Sequence, residues 1–223
     1  MTTTAPVTSR STIAALLSLT AGTGVIDAVS YLGLGHVFVA NMTGNIVFLG
    51  SAANPSSGLS ASLALIALAA FMFGALVGGA SGHRWAASPT WPTSVLLAQA
   101  ALLGAVAAAG AVFGISAMGR PVVVAVLAFA FGLQNSTARR MAVADLTTTV
   151  LTLTATGLAA DSRVAGGPGA KPVRRLASIT TMLAGAVVGA LLVQVSVSLT
   201  IAIAALCVLI AAVLLGMDRR VRA

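Results

Sequence analysis

Four acidic residues, Asp27, Asp145, Asp161 and Asp218, and no glutamate are spread along the chain. Two of them stand beside amides, hydroxyls and glycines inside otherwise apolar runs. Asp27 lies in Gly24-Val25-Ile26-Asp27-Ala28, shortly before Val39-Ala40-Asn41-Met42-Thr43-Gly44-Asn45-Ile46-Val47, and Asp145 lies in Val143-Ala144-Asp145-Leu146-Thr147-Thr148-Thr149-Val150-Leu151. A carboxyl in low-dielectric surroundings can take up a proton or ligate a cation, and polar groups at such depth usually face a protein interior or a wet cavity. The residue types therefore point to one central polar site in which Asp27 and Asp145 are joined by Asn41, Asn45, Gln134 and Asn135. Thr43 and Gly44, and Thr156 and Gly157 in Thr154-Ala155-Thr156-Gly157, add hydroxyls and backbone freedom. A helix starting or breaking there aims free N–H groups at an anion or C=O groups at a cation. The plainer alternatives are that Asp27 caps or steadies a bend and that Asp145 pairs with Arg139 or Arg140 at a membrane surface. Asp161 and Asp218, set among basic loop and tail residues, read as solvated.

Other chemistries find no support. His, Cys and acids show no metal-ligand spacing, and neither a serine-nucleophile elbow nor a phosphate-cradling glycine loop opens a helix. The reading is therefore of a protein that is not an enzyme, with no cofactor and no metal. His36 is close to the first motif but reads as an interfacial residue, His83 as loop, and Cys207, the single cysteine, as a packed thiol.

The elements that must position these groups follow from composition. The 223 residues are 58% hydrophobic and 7% charged with a mean hydropathy of +1.05, too few charges to coat a soluble globule. The chain reads as a single integral membrane domain over residues 1–223, and at roughly 20 residues per span it accommodates about six to eight transmembrane helices. Net charge is +8 and the pI about 11.8, which in a soluble protein would suggest nucleic acid. Here Arg163, Lys171, Arg174 and Arg175 fall in one loop and Arg219, Arg220 and Arg222 in the tail, with no interleaved aromatics. That is the placement expected of cytoplasmic basic residues, and with Arg10 it puts both termini and the 163–175 loop inside. The partner implied is the lipid bilayer and not nucleic acid.

Residues 1 to 11 read as a short cytoplasmic tail. Apolar runs follow over about 12–34 and 60–80, with a shorter Thr- and Asn-bearing run over 36–53 between them, closed by Asn54-Pro55-Ser56-Ser57-Gly58. A loop over 81–93 carries Trp85 and Trp91, read as an aromatic belt, before a span over 94–116. The second half opens at Gly119-Arg120-Pro121 and runs apolar to Gln134-Asn135. A Thr-rich stretch over 142–160, the polar loop 161–175, and spans over 176–196 and 199–217 complete it.

The halves, about 12–116 and 119–217, match each other in order. Gly24-Val25-Ile26-Asp27-Ala28 lies against Gly132-Leu133-Gln134-Asn135-Ser136, the 39–47 motif against 143–151, and Gly74-Ala75-Leu76-Val77-Gly78 against Gly185-Ala186-Val187-Val188-Gly189. Asp27 thus pairs with Asn135 and Asn41 with Asp145. Repeats of this kind build many secondary transporters, with broken helices placing sites near the midplane. Three full spans per half make the repeats inverted and four make them parallel, and the positive-inside rule fits both. The glycine pairs spaced four apart read as close helix packing.

Gly-x-x-Asp-Ala, then Phe38-Val39-Ala40-Asn41-Met42-Thr43-Gly44-Asn45, then Gly132-Leu133-Gln134-Asn135 and a late Thr-x-Thr-Gly at Thr154 to Gly157, resemble the YoaK-like family of bacterial membrane proteins, a domain of unknown function described in terms of small-molecule transport. The likeness covers nearly the whole chain, and the Thr147-Thr148-Thr149 run looks like the family's second-half counterpart of the Asn41 to Asn45 motif. It implies a multi-pass protein of the bacterial inner membrane. The expectation is an all-α membrane protein of two repeats with broken or re-entrant Thr/Asn/Gly segments. Its expected function is secondary transport of a small polar molecule, coupled to protons or sodium or by facilitated diffusion. The competing class is a scaffold or partner subunit that uses its small-residue faces to form homo-oligomers.

Overall fold

The computed structural model describes residues 9–116, 118–141, 151–167, 169 and 172–220. Eight α-helices follow in order: α1 (Arg10–Gly33), α2 (Met42–Ser51), α3 (Ala61–Arg84), α4 (Trp91–Phe113), α5 (Arg120–Met141), α6 (Leu151–Ala160), α7 (Pro172–Leu192) and α8 (Val197–Arg220). Six of them, all but α2 and α6, are long and apolar enough to cross a membrane. At 1.5 Å per residue their 21 to 24 residues reach roughly 32–36 Å, whereas the ten residues of α2 reach only about 15 Å, half a hydrocarbon layer; of α6 the described part is Leu151–Ala160.

Local chemistry sets the helix ends. Ser9 caps α1 by accepting the Thr12 N–H at 3.1 Å, and Ser60 caps α3 through the Leu63 N–H at 3.3 Å. After α1 the chain reverses through Gly35 (φ 101°) and His36 (φ 56°), the latter the one non-glycine at positive φ among the described residues. α5 continues past Asn135 to Met141, so the amides lie inside a span and not at its end as read from the sequence. The expected 81–93 loop is likewise mostly helix, with α3 running to Arg84 and α4 starting at Trp91. Trp91 is not a belt residue. It is buried, its indole N–H donates to Ser81 Oγ at 3.2 Å, and the Arg140 guanidinium sits 5.9 Å from its ring. Trp85 stays half exposed.

α1 and α5 form the centre. In each, 61% of the best membrane-length window is buried, against 17–33% in α3, α4, α7 and α8, which therefore surround them. α1 packs on α7 and α8, α5 on α3 and α4, α4 on α8, α2 on α3, and α6 on α7. Glycines set the two tightest crossings. A Cβ added at Gly74 would meet the Phe129 carbonyl and one at Gly132 the Phe71 carbonyl; at Gly185 it would meet the Ala21 carbonyl and at Gly24 the Met182 carbonyl. One turn on, Gly78 abuts Leu133 and Ser136, and Gly189 abuts Val25 and Ala28. Only backbones without a side chain between them come this close. The turns after α2 and α6 are also built alike. Asn54 caps a 3-10 turn over Pro55–Ser57 ending in left-handed Gly58, and Ser162 caps one over Arg163–Ala165 ending in left-handed Gly166.

Two acids read as solvated have partners instead. Asp161 binds Arg175 at 2.7 Å, and Asp218 accepts hydrogen bonds from Ser11 at 2.9 Å and Thr12 at 3.2 Å, tying the end of α8 to the start of α1.

Candidate functional site

Asp27 sits on the buried central helix one turn beyond Thr23, and its own exposure is only 5%. Its carboxylate meets the chain returning from the His36 reversal. Oδ1 accepts the Val39 N–H at 3.2 Å and the Ala40 N–H at 2.9 Å. These donors precede α2, whose N-cap residue Asn41 makes no side-chain capping bond. The acid therefore satisfies backbone groups that have no other partner at this depth. Oδ2 is buried and has no hydrogen-bond partner among the described residues.

Asn45 clasps the same segment from the other side. Its amide oxygen accepts the Phe38 N–H at 2.9 Å and its NH2 donates to the Phe38 carbonyl at 2.6 Å, the pairing a neighbouring strand would make. Phe38 stacks on Tyr31 and on Phe48, closing this end of the bundle with rings, and His36 lies edge-on to Tyr31. Asn45 thus holds the entry to α2 in place and leaves Asp27, Asn41 and Thr43 to face inward.

They face a cavity of about 1220 Å³ bounded by α1, α2, α3, α5, α6 and α7. Of the sequence-derived candidates, Asp27, Asn41, Thr43, Gly44 and Asn135 line it, together with Thr23, Ser136 and Thr152. His83, Arg139 and Arg140, all exposed, line it at the ends of α3 and α5. His83 is therefore not loop, and the two arginines are part of the cavity wall. The Asn135 NH2 donates to its own helix at the Phe131 carbonyl, 2.9 Å away.

The other candidates lie elsewhere. Gln134 is buried between helices, accepting from Gln99 Nε2 at 2.8 Å and donating to Thr23 Oγ1 at 3.1 Å, a chain that joins α4, α5 and α1. Gln99 escaped the sequence reading, although it is the one amide inside an Ala- and Leu-rich run and so carried a signal. Thr156 is exposed and lies outside the cavity lining, and Gly157 packs beneath the Arg175 guanidinium, which also binds the Gly157 carbonyl. Asp145, with Thr147, Thr148 and Thr149, lies outside the described residues. Among the described residues there is no group of three His, Cys or acidic side chains able to hold a metal.

The arrangement offers a buried carboxylate oxygen and the first turn of a half-length helix at depth, amides and hydroxyls along the walls, and basic groups at one end. Its described lining is that of a chamber able to receive a small polar solute.

The model of a family described as "Protein of unknown function (DUF1275)" matches residues 15–214. The UPF0700 transmembrane protein YoaK of Bacillus subtilis (strain 168) is 35% identical over 157 residues, which cover 68% of this chain and 67% of that protein. No solved structure matches the chain. The six membrane-length helices are in keeping with that relative's description as a transmembrane protein, and the chain belongs to the DUF1275 family.

Proposed function

We propose that this protein is a secondary transporter or permease of a small polar molecule in the bacterial cytoplasmic membrane, working by alternating access around the Asp27 cavity. The observation that carries the reading is the cavity itself: about 1220 Å³ among membrane-length helices, walled by Asp27, Asn41, Thr43 and Asn135 and entered by a half-length helix. Polar groups are costly at membrane depth, and a packing scaffold has no use for such a chamber.

In this reading the halves are inverted repeats of three spans and one re-entrant segment each. The crossings support it: Gly24 relates to Gly185 as Gly132 does to Gly74, each over the carbonyl three residues before its partner glycine. Asp27 and Asn135 are then equivalent positions, an acid in one repeat and an amide in the other. The register of the two matching turns, Asn54 with Ser162 and Gly58 with Gly166, sets Asn45 of α2 opposite Leu153 of α6, next to the buried Thr154. This differs from the pairing of Asn41 with Asp145 drawn from sequence alone. Alternating spans put Arg10, Arg84, Arg139, Arg140, Arg163, Arg174 and Arg175 on one side and Arg120 on the other, so the first side is cytoplasmic by the positive-inside rule.

The test is thermal unfolding of the detergent-purified protein against a panel of metabolites and ions, with Asp27→Asn alongside. A ligand at one hundred times its Kd stabilises by about 2.7 kcal/mol, which raises the melting point by roughly 5–10 °C for a chain of this size. A saturable rise with one compound class, absent in Asp27→Asn, supports the site. A flat response across the panel, with the variant as stable as the parent, refutes it and favours the partner-subunit class.

A further inference from the structure

We propose that the ligand of this cavity is a small organic or inorganic anion that binds together with a proton carried on Asp27 Oδ2, an inference that rests on the transporter reading above. The charges of the wall set the ligand's sign. Among the described residues the cavity has Asp27 as its single acid against Arg139, Arg140 and a histidine, His83, at its basic end. A low-dielectric cleft lined by one sign of charge concentrates solutes of the opposite sign and raises their entry rate.

At the deep end an anion meets a carboxylate, and the geometry of that carboxylate resolves the conflict. Oδ1 is committed to two backbone N–H donors, Val39 and Ala40, so a proton taken up by Asp27 goes to Oδ2, the buried oxygen without a partner among the described residues. Protonated there, Asp27 is neutral and donates an O–H while Oδ1 keeps its backbone bonds. The anion then finds, beside a neutral Asp27, the Asn41 amide, the Thr43 hydroxyl and the first-turn N–H groups of α2, which favour negative charge. Without the proton, two like charges would share a site with little water.

The arginines cannot hold the same small ligand. Thr23 and Gln134 mark one level of the bundle; Asp27 lies one turn toward one face and Arg139 more than one turn toward the other, so they stand roughly 13 Å apart along the axis at 1.5 Å per residue. Arg139, Arg140 and His83 therefore act at the entrance and Asp27 at the binding position. The other titratable groups on elements packed against Asp27 are distant in role. Tyr31 and His36 belong to the ring cluster, Arg120 packs against Gly35 at the chain reversal, Arg10 and Asp218 lie at the α1 terminus, Arg174 and Arg175 start α7, and the Cys207 side chain packs on Gly22.

The experiment uses proteoliposomes of the full chain loaded with a pH dye. Malate, succinate, citrate and inorganic phosphate are added outside as anions, choline and putrescine as cations, and xylose as a neutral solute, with labelled uptake followed in parallel. The expected result is uptake of an anion with matching acidification of the lumen. Asp27→Asn, which keeps the Oδ1 acceptor and melts like the parent, should lose the acidification. Arg139→Gln with Arg140→Gln should slow anion entry roughly tenfold at low salt, and the deficit should shrink at high salt. Uptake of choline, putrescine or xylose with no anion moving overturns this inference and leaves the transporter reading standing. Anion uptake with no acidification, unchanged in Asp27→Asn, overturns the proton's role. Uptake of no panel member overturns both.

Discussion

Adding one methyl group at a helix crossing is the sharpest perturbation of this fold. Gly74→Ala in α3 and Gly185→Ala in α7 each place a Cβ inside the carbonyl of the facing helix, at Phe129 and Ala21. Carbon and carbonyl oxygen in favourable contact stand about 3.3–3.6 Å apart, so the facing backbone must withdraw by at least about 1 Å. A withdrawal of that size forfeits a quarter to a half of each dispersion contact across the crossing; with on the order of 40 atom pairs at 0.1–0.2 kcal/mol, the loss is roughly 1.5–3 kcal/mol. Measured overpacking penalties of about 1–3 kcal/mol agree. At 2–4 °C per kcal/mol, the melting point in detergent should fall by roughly 3–12 °C. Gly50→Ala and Gly104→Ala, whose Cβ would meet nothing within 4 Å, serve as controls and should stay within about 0.5 kcal/mol of the parent. If Gly74→Ala and Gly185→Ala melt with the controls, the contact argument is wrong. If only one of them falls, the two crossings are not equivalent and the inverted-repeat reading loses its main support.

Asn45→Ala strips both hydrogen bonds from Phe38 and strands a backbone donor and acceptor, a loss of about 2–4 kcal/mol; unchanged resistance of the 34–41 segment to protease would contradict it. Gln99→Leu alone leaves Gln134 half satisfied and should destabilise by about 1–3 kcal/mol, whereas Gln99→Leu with Gln134→Leu should recover part of that loss in a double-mutant cycle. Additive effects would mean the amide chain is not a unit. Asp27→Ala should lower stability by more than Asp27→Asn, because only the amide still accepts from Val39 and Ala40; equal melting curves would show that those bonds contribute nothing. Arg175→Gln removes the partner of Asp161 and of the Gly157 carbonyl, and it should loosen the 161–169 turn, read as faster hydrogen exchange there.

Much of this was legible beforehand because the bilayer simplifies the code. Apolar runs near 20 residues long read as spans, so the six long helices followed from hydropathy while the crossing of the 36–53 and 142–160 segments stayed open, and Asn54-Pro55 marked the turn after the short α2 where it occurs. Asp27 stood out because an acid in such a run must be satisfied by protein. What stayed hidden was which polar side chain serves the backbone and which faces the cavity. Asn41 and Asn45 are equally polar and four residues apart, yet Asn45 turns to Phe38 while Asn41 opens inward. Gln134 and Asn135 are neighbours, yet one bridges helices and the other lines the chamber. Helix ends were blurred for a related reason: Trp91 and His83 look like loop residues in a window average, and only their packing against Ser81, Arg140 and the cavity makes them part of the bundle.

The sequence by itself determined that the chain is a membrane protein of several apolar helices, about where the long ones fall, and which few groups are polar within them. These are properties of composition and spacing, and a solvent that leaves no backbone bond unmade enforces them. The tertiary structure decided which helices are central, that the paired glycines face each other's backbones across two crossings, and that Asp27 secures the segment leading into α2 while lining the chamber. Those outcomes depend on which side chain meets which partner across separations of up to 207 residues in the chain, as from Ser11 to Asp218, and no local pattern encodes that.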